Sequence, residues 1–502
     1  MPVSRGKKRD VSSGLAFINV AHPDEIRQKS TQKAIRSGAM AAIGRARRKR
    51  PLNPVTAELD VRLLRNDGTH EIENENDGRA RTWAILPAMP HLGMFAVEPD
   101  TRARELLHFS MWISGRVIFL YAIATNYSSK VSGEASYVYR PFRVEWFNMA
   151  ILDPCSYFLC LANAALFMYQ HITHKKSLEY TDSAESAKYY SQCLSQLTHQ
   201  LASETERFSD GVITTILGFV CHSGSVGHRD RCEMHMKGLE GIIRLRGGFK
   251  GLGHFSSIFA SWFDITNSTS QDIPPRFPYP AENAEDPTRL ETLPQSLLFS
   301  LKSLDDTSTD LAPLQESLMK MARLASYINQ HAHQPHFWEA GMASTKLLGP
   351  TAHYLLSISR LDFSTNDQDH PSYSALLLSE TIRVALFILM AILKEGFTLP
   401  ADELDLFLDR FSAITPLVPS LSLSPVFRLW AFVLVSCARK DRISLPQILE
   451  MRRAMKDLSI HRVDDAVVAA RKIIWIPSLL DRNIERVKEQ LDEDLIAFDY
   501  IS

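Results

Sequence analysis

Apolar residues recur at helical spacing along most of the chain from about residue 81 onward. In residues 236–248, for example, Met236, Leu239, Ile242 and Ile243 fall on one helical face, and a following Gly-Gly pair predicts a left-handed stop. Alternating patterns that predict β-strands are scarce, and no unit of strand and helix repeats. The pattern therefore predicts an all-α fold, a large domain of many helices.

Two further segments show the range of helices to expect. Near the C-terminus, one apolar stripe predicts an amphipathic helix: Leu480, Ile484, Val487, Leu491 and Leu495. Residues 379–396 are instead apolar nearly all round, which predicts full burial. The longest apolar run, Val384 to Leu393, is far shorter than the roughly 20 residues that span a bilayer. No apolar run follows the charged N-terminus, so we expect a soluble intracellular protein with no membrane partner.

The chain divides by composition into three zones. Residues 1–60 are basic and polar, which predicts a mostly disordered N-terminal arm, and residues 61–80 predict an acidic linker. Residues 81–502 hold the helical domain. Six prolines between positions 266 and 295 predict an extended surface loop within it. We expect the helices on both sides of this loop to share one core.

The net charge of −1 conceals this organisation. Lys and Arg number 56 and Asp and Glu 57 in the whole chain, but residues 1–50 hold 13 basic and 3 acidic residues, a net charge of +10. The other 452 residues therefore carry a net charge of −11. A basic arm on an acidic body favours contact between the arm and nucleic acid.

The basic arm contains the candidate functional residues. Helically spaced Ile and Ala residues precede a dense cationic end, and the candidates are Arg36, Arg45, Arg47, Arg48, Lys49 and Arg50. Guanidinium and ammonium groups at this density suit DNA phosphates, with steep salt dependence, and equally suit the acidic grooves of a nuclear import receptor. A solvated tail with no specific partner is the remaining alternative.

A cluster of potential metal ligands lies within fifteen residues: Cys221, His222, His228, Cys232 and His235. Only Cys232 and His235 approach the spacing of zinc ligands, and both lie on an apolar helical face. We interpret them as residues of the core or its margin, and we expect no metal and no cofactor. Phosphate loops, nucleophile elbows and HExxH motifs are also missing from the sequence, so it predicts no enzyme.

Several segments, in order, resemble the large helical regulatory region of fungal-specific transcription factors. They are HMKGLEGIIRLRGG (residues 235–248), SWFDI (261–265), PPRFP (274–278), SETIRVALFILMAIL (379–393), RLWAFVLVSCA (428–438) and the segment around Trp475. The resemblance covers most of residues 85–500. It implies an all-α regulatory domain.

The N-terminal segment is similar to the opening of one subgroup of these proteins. Members of that subgroup carry a Phe-Ile/Val-Asn segment, here at residues 17–19, and an Arg-Ser-x-x-Met motif that ends in basic residues, and they are often labelled tachykinin-family proteins. Typical members of the main family bind DNA through an N-terminal binuclear zinc cluster of six cysteines. The six cysteines here instead span Cys155 to Cys437, so this chain departs from that pattern.

The resemblance and the charge split together imply a nuclear regulator of transcription in a filamentous fungus, controlling a metabolic or secondary-metabolite gene cluster. The arm would contact the import receptor and DNA, and the body would bind other transcription proteins. The alternative is a nuclear scaffold or corepressor-like protein that does not bind DNA directly. The sequence leaves the oligomeric state and any small effector open.

Overall fold

The computed structural model describes a large part of the chain. The described residues are 95–107, 109, 146–173, 179–225, 228–280, 288, 291–305, 311–339, 341–360, 373–399, 401–420 and 424–499. All of them belong to one of two compact units, His91–Ser502. The predicted basic arm and acidic linker lie outside the described residues.

Within these ranges the secondary structure is helical and contains no β-strand, so the predicted all-α class is confirmed. Helical stretches at 101–107 and 146–150 precede the longer helices. The helices are α1 (Pro154–Thr173), α2 (Ala184–Ala202), α3 (Asp210–Ser225), α4 (Arg229–Arg246), α5 (His254–Thr269), α6 (Gln295–Asp305), α7 (Ala312–His331), α8 (Gly341–Ser357), α9 (Tyr373–Gly396), α10 (Glu403–Ile414), α11 (Pro425–Ala438), α12 (Leu445–Asp457), α13 (Val463–Arg471), α14 (Pro477–Leu480) and α15 (Ile484–Asp499).

Helix α9 lies at the centre of the packing. It contacts α7, α8, α10 and α11, and residues 380–394 are all buried, which confirms the predicted burial on every side. Phe387 stacks on Phe407 of α10 with 4.5 Å between ring centroids. Among the described helices, α9 alone has the length and composition of a membrane span, but its most apolar stretch is 89% buried inside the protein. Packing against its neighbours accounts for its apolar composition.

One hydrophobic cluster extends from Val212 to Leu491 and draws residues from both sides of the Pro-rich loop. Helix α11 contributes a buried surface and packs against α12 and α13 as well as α9. Trp430 of α11 donates a 2.8 Å hydrogen bond from Nε1 to the Ile474 carbonyl. In the C-terminal stripe, Ile484, Val487 and Leu491 are buried as predicted, as is Leu480. The side chain of Leu495 lies outside those described.

The predicted helix stop after α4 is confirmed, and the predicted start of the Pro-rich loop is four residues too early. Gly247 has a φ of 90°, the left-handed value that a residue without Cβ adopts most easily. Helix α5 continues to Thr269, so it covers residues 266–269 of the predicted loop. The first proline is Pro274, so no proline interrupts the helix before Thr269. Ser268 and Thr269 are buried, and Thr269 Oγ1 donates to the Ile265 carbonyl at 2.6 Å.

Asp264 fixes the conformation of the Pro-rich loop. Its Oδ2 accepts hydrogen bonds from the backbone N–H groups of Arg276 and Phe277, at 2.8 and 3.0 Å. The Arg276 side chain in turn pairs with Glu233 of α4. Burial raises the pKa of Asp264, while the two backbone hydrogen bonds and the charge of Arg276 oppose that rise. The SWFDI and PPRFP motifs are therefore direct contacts of each other.

Asp272 is the centre of a buried cluster of five charges. Arg383 donates two hydrogen bonds of 2.8 Å to its carboxylate, which also lies 3.1 Å from Arg360 Nε and 2.8 Å from Arg410 Nη1. Glu380 accepts further hydrogen bonds from Arg383 and Arg410. Burial alone opposes ionisation, but the hydrogen bonds and charge of Arg383, with two further arginines, hold the pKa of Asp272 below its usual value. The cluster joins the loop after α5 to α9, α10 and the chain after α8.

Replacing Asp272 with Asn removes its charge and preserves its shape. The backbone of Asp272 is left-handed, with φ 49°, and Asn also tolerates this conformation. We expect Asp272→Asn to lower the free energy of unfolding by about 3 kcal/mol at pH 7, because three arginines lose a shared anion. The difference in free energy of unfolding between wild type and variant narrows as the pH falls through the lowered pKa of Asp272, because the wild-type side chain then becomes neutral like that of Asn. Urea unfolding at several pH values measures both effects.

Asp464→Asn is the matched control for this substitution. Asp464 also pairs with a cation, Lys488, but its side chain is 58% exposed, so water screens the pair. We expect its unfolding midpoint to stay close to that of the wild type. Equal stability of Asp272→Asn and wild type at pH 7 would contradict the role assigned to the cluster.

Asp264→Ala tests the anchoring of the loop. The substitution leaves two backbone N–H groups without their acceptor, so we expect a loss of about 2–4 kcal/mol and a loop that opens more often. Arg276 then becomes accessible to trypsin, which cleaves after arginine. Limited proteolysis with mass spectrometry measures the rate of cut after Arg276. Unchanged protection at this bond would show that the contact does not hold the loop.

Candidate interaction surface

The residues predicted to contact phosphates or an import receptor lie outside the described residues. They are Arg36, Arg45, Arg47, Arg48, Lys49 and Arg50. Their role therefore stays a prediction.

The cysteine and histidine residues that are clustered in the sequence contact different partners in the structure. Cys232 is buried, and its Sγ lies 3.7 Å from Asn267 Oδ1. His235 stacks on Phe219 with 5.2 Å between ring centroids, and burial together with Arg231 lowers its pKa. His228 Nε2 lies 2.9 Å from Glu179 Oε1. In the part of the chain that the structure describes, no three side chains of His, Cys, Asp or Glu are grouped to hold a metal ion. Cys232 and His235 contribute instead to the packing of α4.

The charged side chains buried in the described domain each have an ion-pair partner. They are Asp264, Asp272, Glu380, Arg383, Lys394, Glu403, Arg428 and Glu450. Lys394 Nζ, for example, lies 2.6 Å from Glu403 Oε1. A small cavity beside Trp262 and Tyr279 has a volume of about 10 Å³, enough for one water molecule. The buried ion pairs join helices and loops of the domain.

A surface groove of about 470 Å³ lies between α6, α11 and α13, and we call it the α6–α13 groove. Its lining is mostly apolar and consists of Ser296, Phe299, Ser300, Val426, Ile460, Asp465, Val468, Ala469, Lys472 and Ile473. Phe299 is 78% exposed and Val468 47% exposed, although both are large apolar side chains. The groove therefore places two exposed apolar side chains on one concave surface, which makes it a candidate interaction surface.

Two elements give the groove its fixed walls. Leu297, Leu301 and Leu304 anchor α6 in the core, which leaves Phe299 on the outer side of that helix. Val467 and Ala470 anchor α13 in the same way. The hydroxyl of Ser296 donates to the Lys472 carbonyl, so the start of α6 is bound to the end of α13.

The groove also carries one charge of each sign. Asp465 lies in the first turn of α13, and Lys472 follows its last residue, so each charge complements the helix dipole at its own end. Neither side chain has an ion-pair partner within 4.0 Å among the described residues. The neighbouring Asp464 differs, since hydrogen bonding and charge from Lys488 lower its pKa. Asp465 and Lys472 are both exposed and line the groove.

Sequence reasoning did not single out this groove, although one signal pointed to it. Phe299 and Val468 both lie off the apolar face that their helix buries. An exposed aromatic residue on the polar side of an amphipathic helix is the pattern that reveals such a site. Val426, Ile460 and Ile473 come from other elements, so their meeting depends on the tertiary packing.

Comparison with known protein families identifies a match. A family model described as a fungal specific transcription factor domain matches residues 123–474, more than half of the chain. No curated protein and no solved structure matches.

Proposed function

The chain belongs to the fungal-specific transcription factor domain family, and we propose that it acts in the nucleus on a metabolic or secondary-metabolite gene cluster. The match over residues 123–474 supports a role in regulating transcription. Proteins with this domain are in general not enzymes, and we propose no catalytic activity for the chain. The family match is the observation that carries the proposal.

In this proposal the two parts of the chain have different tasks. The helical domain binds other transcription proteins. The basic arm supplies nuclear import and contacts DNA phosphates through Arg36 and the cationic residues 45–50. The charge split supports this division, since a net charge of +10 on fifty residues favours anionic partners.

Recognition of a specific DNA sequence requires more than the basic arm. Phosphate contacts position a protein on DNA, whereas base discrimination needs side chains held at base edges. The six cysteines span Cys155 to Cys437 and cannot form the compact N-terminal zinc cluster of typical family members. This departure favours, as a second candidate, a nuclear scaffold or corepressor-like protein that reaches DNA through a partner.

Replacing the five cationic residues Arg45, Arg47, Arg48, Lys49 and Arg50 with Ala tests import. A fluorescent fusion of the full chain is expected to accumulate in the nucleus, and the variant is expected to lose that accumulation because the receptor's acidic groove loses its ligands. Microscopy of living hyphae measures the ratio of nuclear to cytoplasmic signal.

The N-terminal cluster Lys7, Lys8 and Arg9 offers a matched control, since it is also basic and lies in the same arm. Its neutralisation is expected to leave the fusion in the nucleus. Cytoplasmic signal from the unmodified full chain would contradict the nuclear role. If only the control variant lost nuclear accumulation, the import signal would be Lys7, Lys8 and Arg9 and not residues 45–50.

Salt dependence tests direct DNA contact. If the five residues contact phosphates, the plot of log affinity against log salt concentration is expected to be less steep by about 4 to 5 in the neutralised variant, roughly 0.9 for each lost contact. Fluorescence anisotropy with a labelled duplex measures this slope. Absence of binding by the wild type at low salt would favour the scaffold, with the arm serving import alone.

A further inference from the structure

The exposed face of α13 has a charge pattern that suits pairing with itself. Asp465, Val468, Ala469 and Lys472 follow one another at helical positions i, i+3, i+4 and i+7 and all line the α6–α13 groove. Seven residues are almost two turns, so Asp465 and Lys472 share one face about 10 Å apart. The acid lies at one end, the base at the other and the apolar residues between them.

We infer that the α6–α13 groove is a contact between two copies of this chain, related by a two-fold axis that passes near Val468 and Ala469. Around such an axis the two α13 helices run antiparallel, so Asp465 of each copy faces Lys472 of the other. A two-fold contact is formed by the same surface on both copies, with each pairing occurring twice. Val468 then meets Val468 of the other copy at the centre.

Phe299 supplies the apolar part of this contact. At 78% exposure it stands at the rim of a groove with an apolar lining, so reciprocal insertion covers both the ring and the groove. Burial of aromatic side chains stabilises interfaces strongly. Two charges alone, exposed to water, would contribute little.

The charge pattern favours a second copy over other occupants. An unrelated partner needs one positive and one negative residue at matching positions, whereas a second copy carries both by symmetry. The contact is reversible, so we expect the dimer fraction to rise with protein concentration. The inference is independent of the nuclear role.

Sedimentation of the purified full chain across a range of concentrations measures the association. We expect a concentration-dependent dimer in the wild type and at least about tenfold weaker association in Phe299→Asp. Phe299 is exposed, so the variant keeps its fold, which circular dichroism checks. Met234→Asp is the matched control, since Met234 is 58% exposed on α4 and does not line the groove. Its association is expected to equal that of the wild type.

Charge reversal tests the symmetry itself. Asp465→Lys and Lys472→Asp each place like charges opposite one another at two points of the contact, so each is expected to weaken association about tenfold or more. The double variant restores opposite charges at both points, and its Kd is expected to return to within about threefold of the wild type. Low ionic strength keeps screening small.

Several outcomes would overturn the inference. A wild-type chain that stays monomeric at every concentration, or a double variant as weak as the single variants, contradicts the two-fold contact. Association that is lost on removal of residues 1–60 but insensitive to charge reversal assigns the contact to the arm. A monomer in which Phe299→Asp abolishes binding of a partner transcription factor assigns the groove to that partner.

Discussion

The fold depends on the attachment of Asp272 to three arginines. Asp272 lies in the loop after α5, and its arginine partners come from α9, α10 and the chain after α8, so one carboxylate joins four parts of the domain. Arg383 is 1% exposed, and its guanidinium is paired there with Asp272 from the loop and with Glu380 of its own helix. The burial of α9 is therefore coupled to the position of the loop.

Other charges in the domain follow the same logic. The Asp264 carboxylate accepts a hydrogen bond from the backbone of the loop at Arg276, and the Arg276 side chain connects the loop to α4. Lys394, near the end of α9, pairs with Glu403. The Pro-rich loop is consequently a structural connector between helices that lie far apart in sequence. The buried charges described above join helices, and the α6–α13 groove is an exposed, mostly apolar surface of the described domain.

The sequence predicted the helices better than the candidate site. The helical class, the stop at Gly247 and the burial of α9 follow from periodicity and from glycine's backbone freedom, which are local properties. The Pro-rich loop was predicted to begin at residue 266, but α5 continues to Thr269, because the first proline comes only at Pro274 and the Thr269 hydroxyl bonds to the Ile265 carbonyl of the same helix. The groove was not predicted, because periodicity places Phe299 off the buried face of α6 but does not show that residues of other elements, such as Val426 and Ile473, line the same groove.

By itself the sequence determined the helical period, the position of the helix stop after α4, the basic arm and acidic body, and the resemblance to fungal-specific transcription factors. Only the tertiary structure decided that Arg383 meets a carboxylate 111 residues away, that SWFDI holds PPRFP, and that Phe299 and Val468 line one exposed groove. The physical reason is that periodicity shows which face of a helix is apolar. It does not show which other helix covers that face, or whether any does.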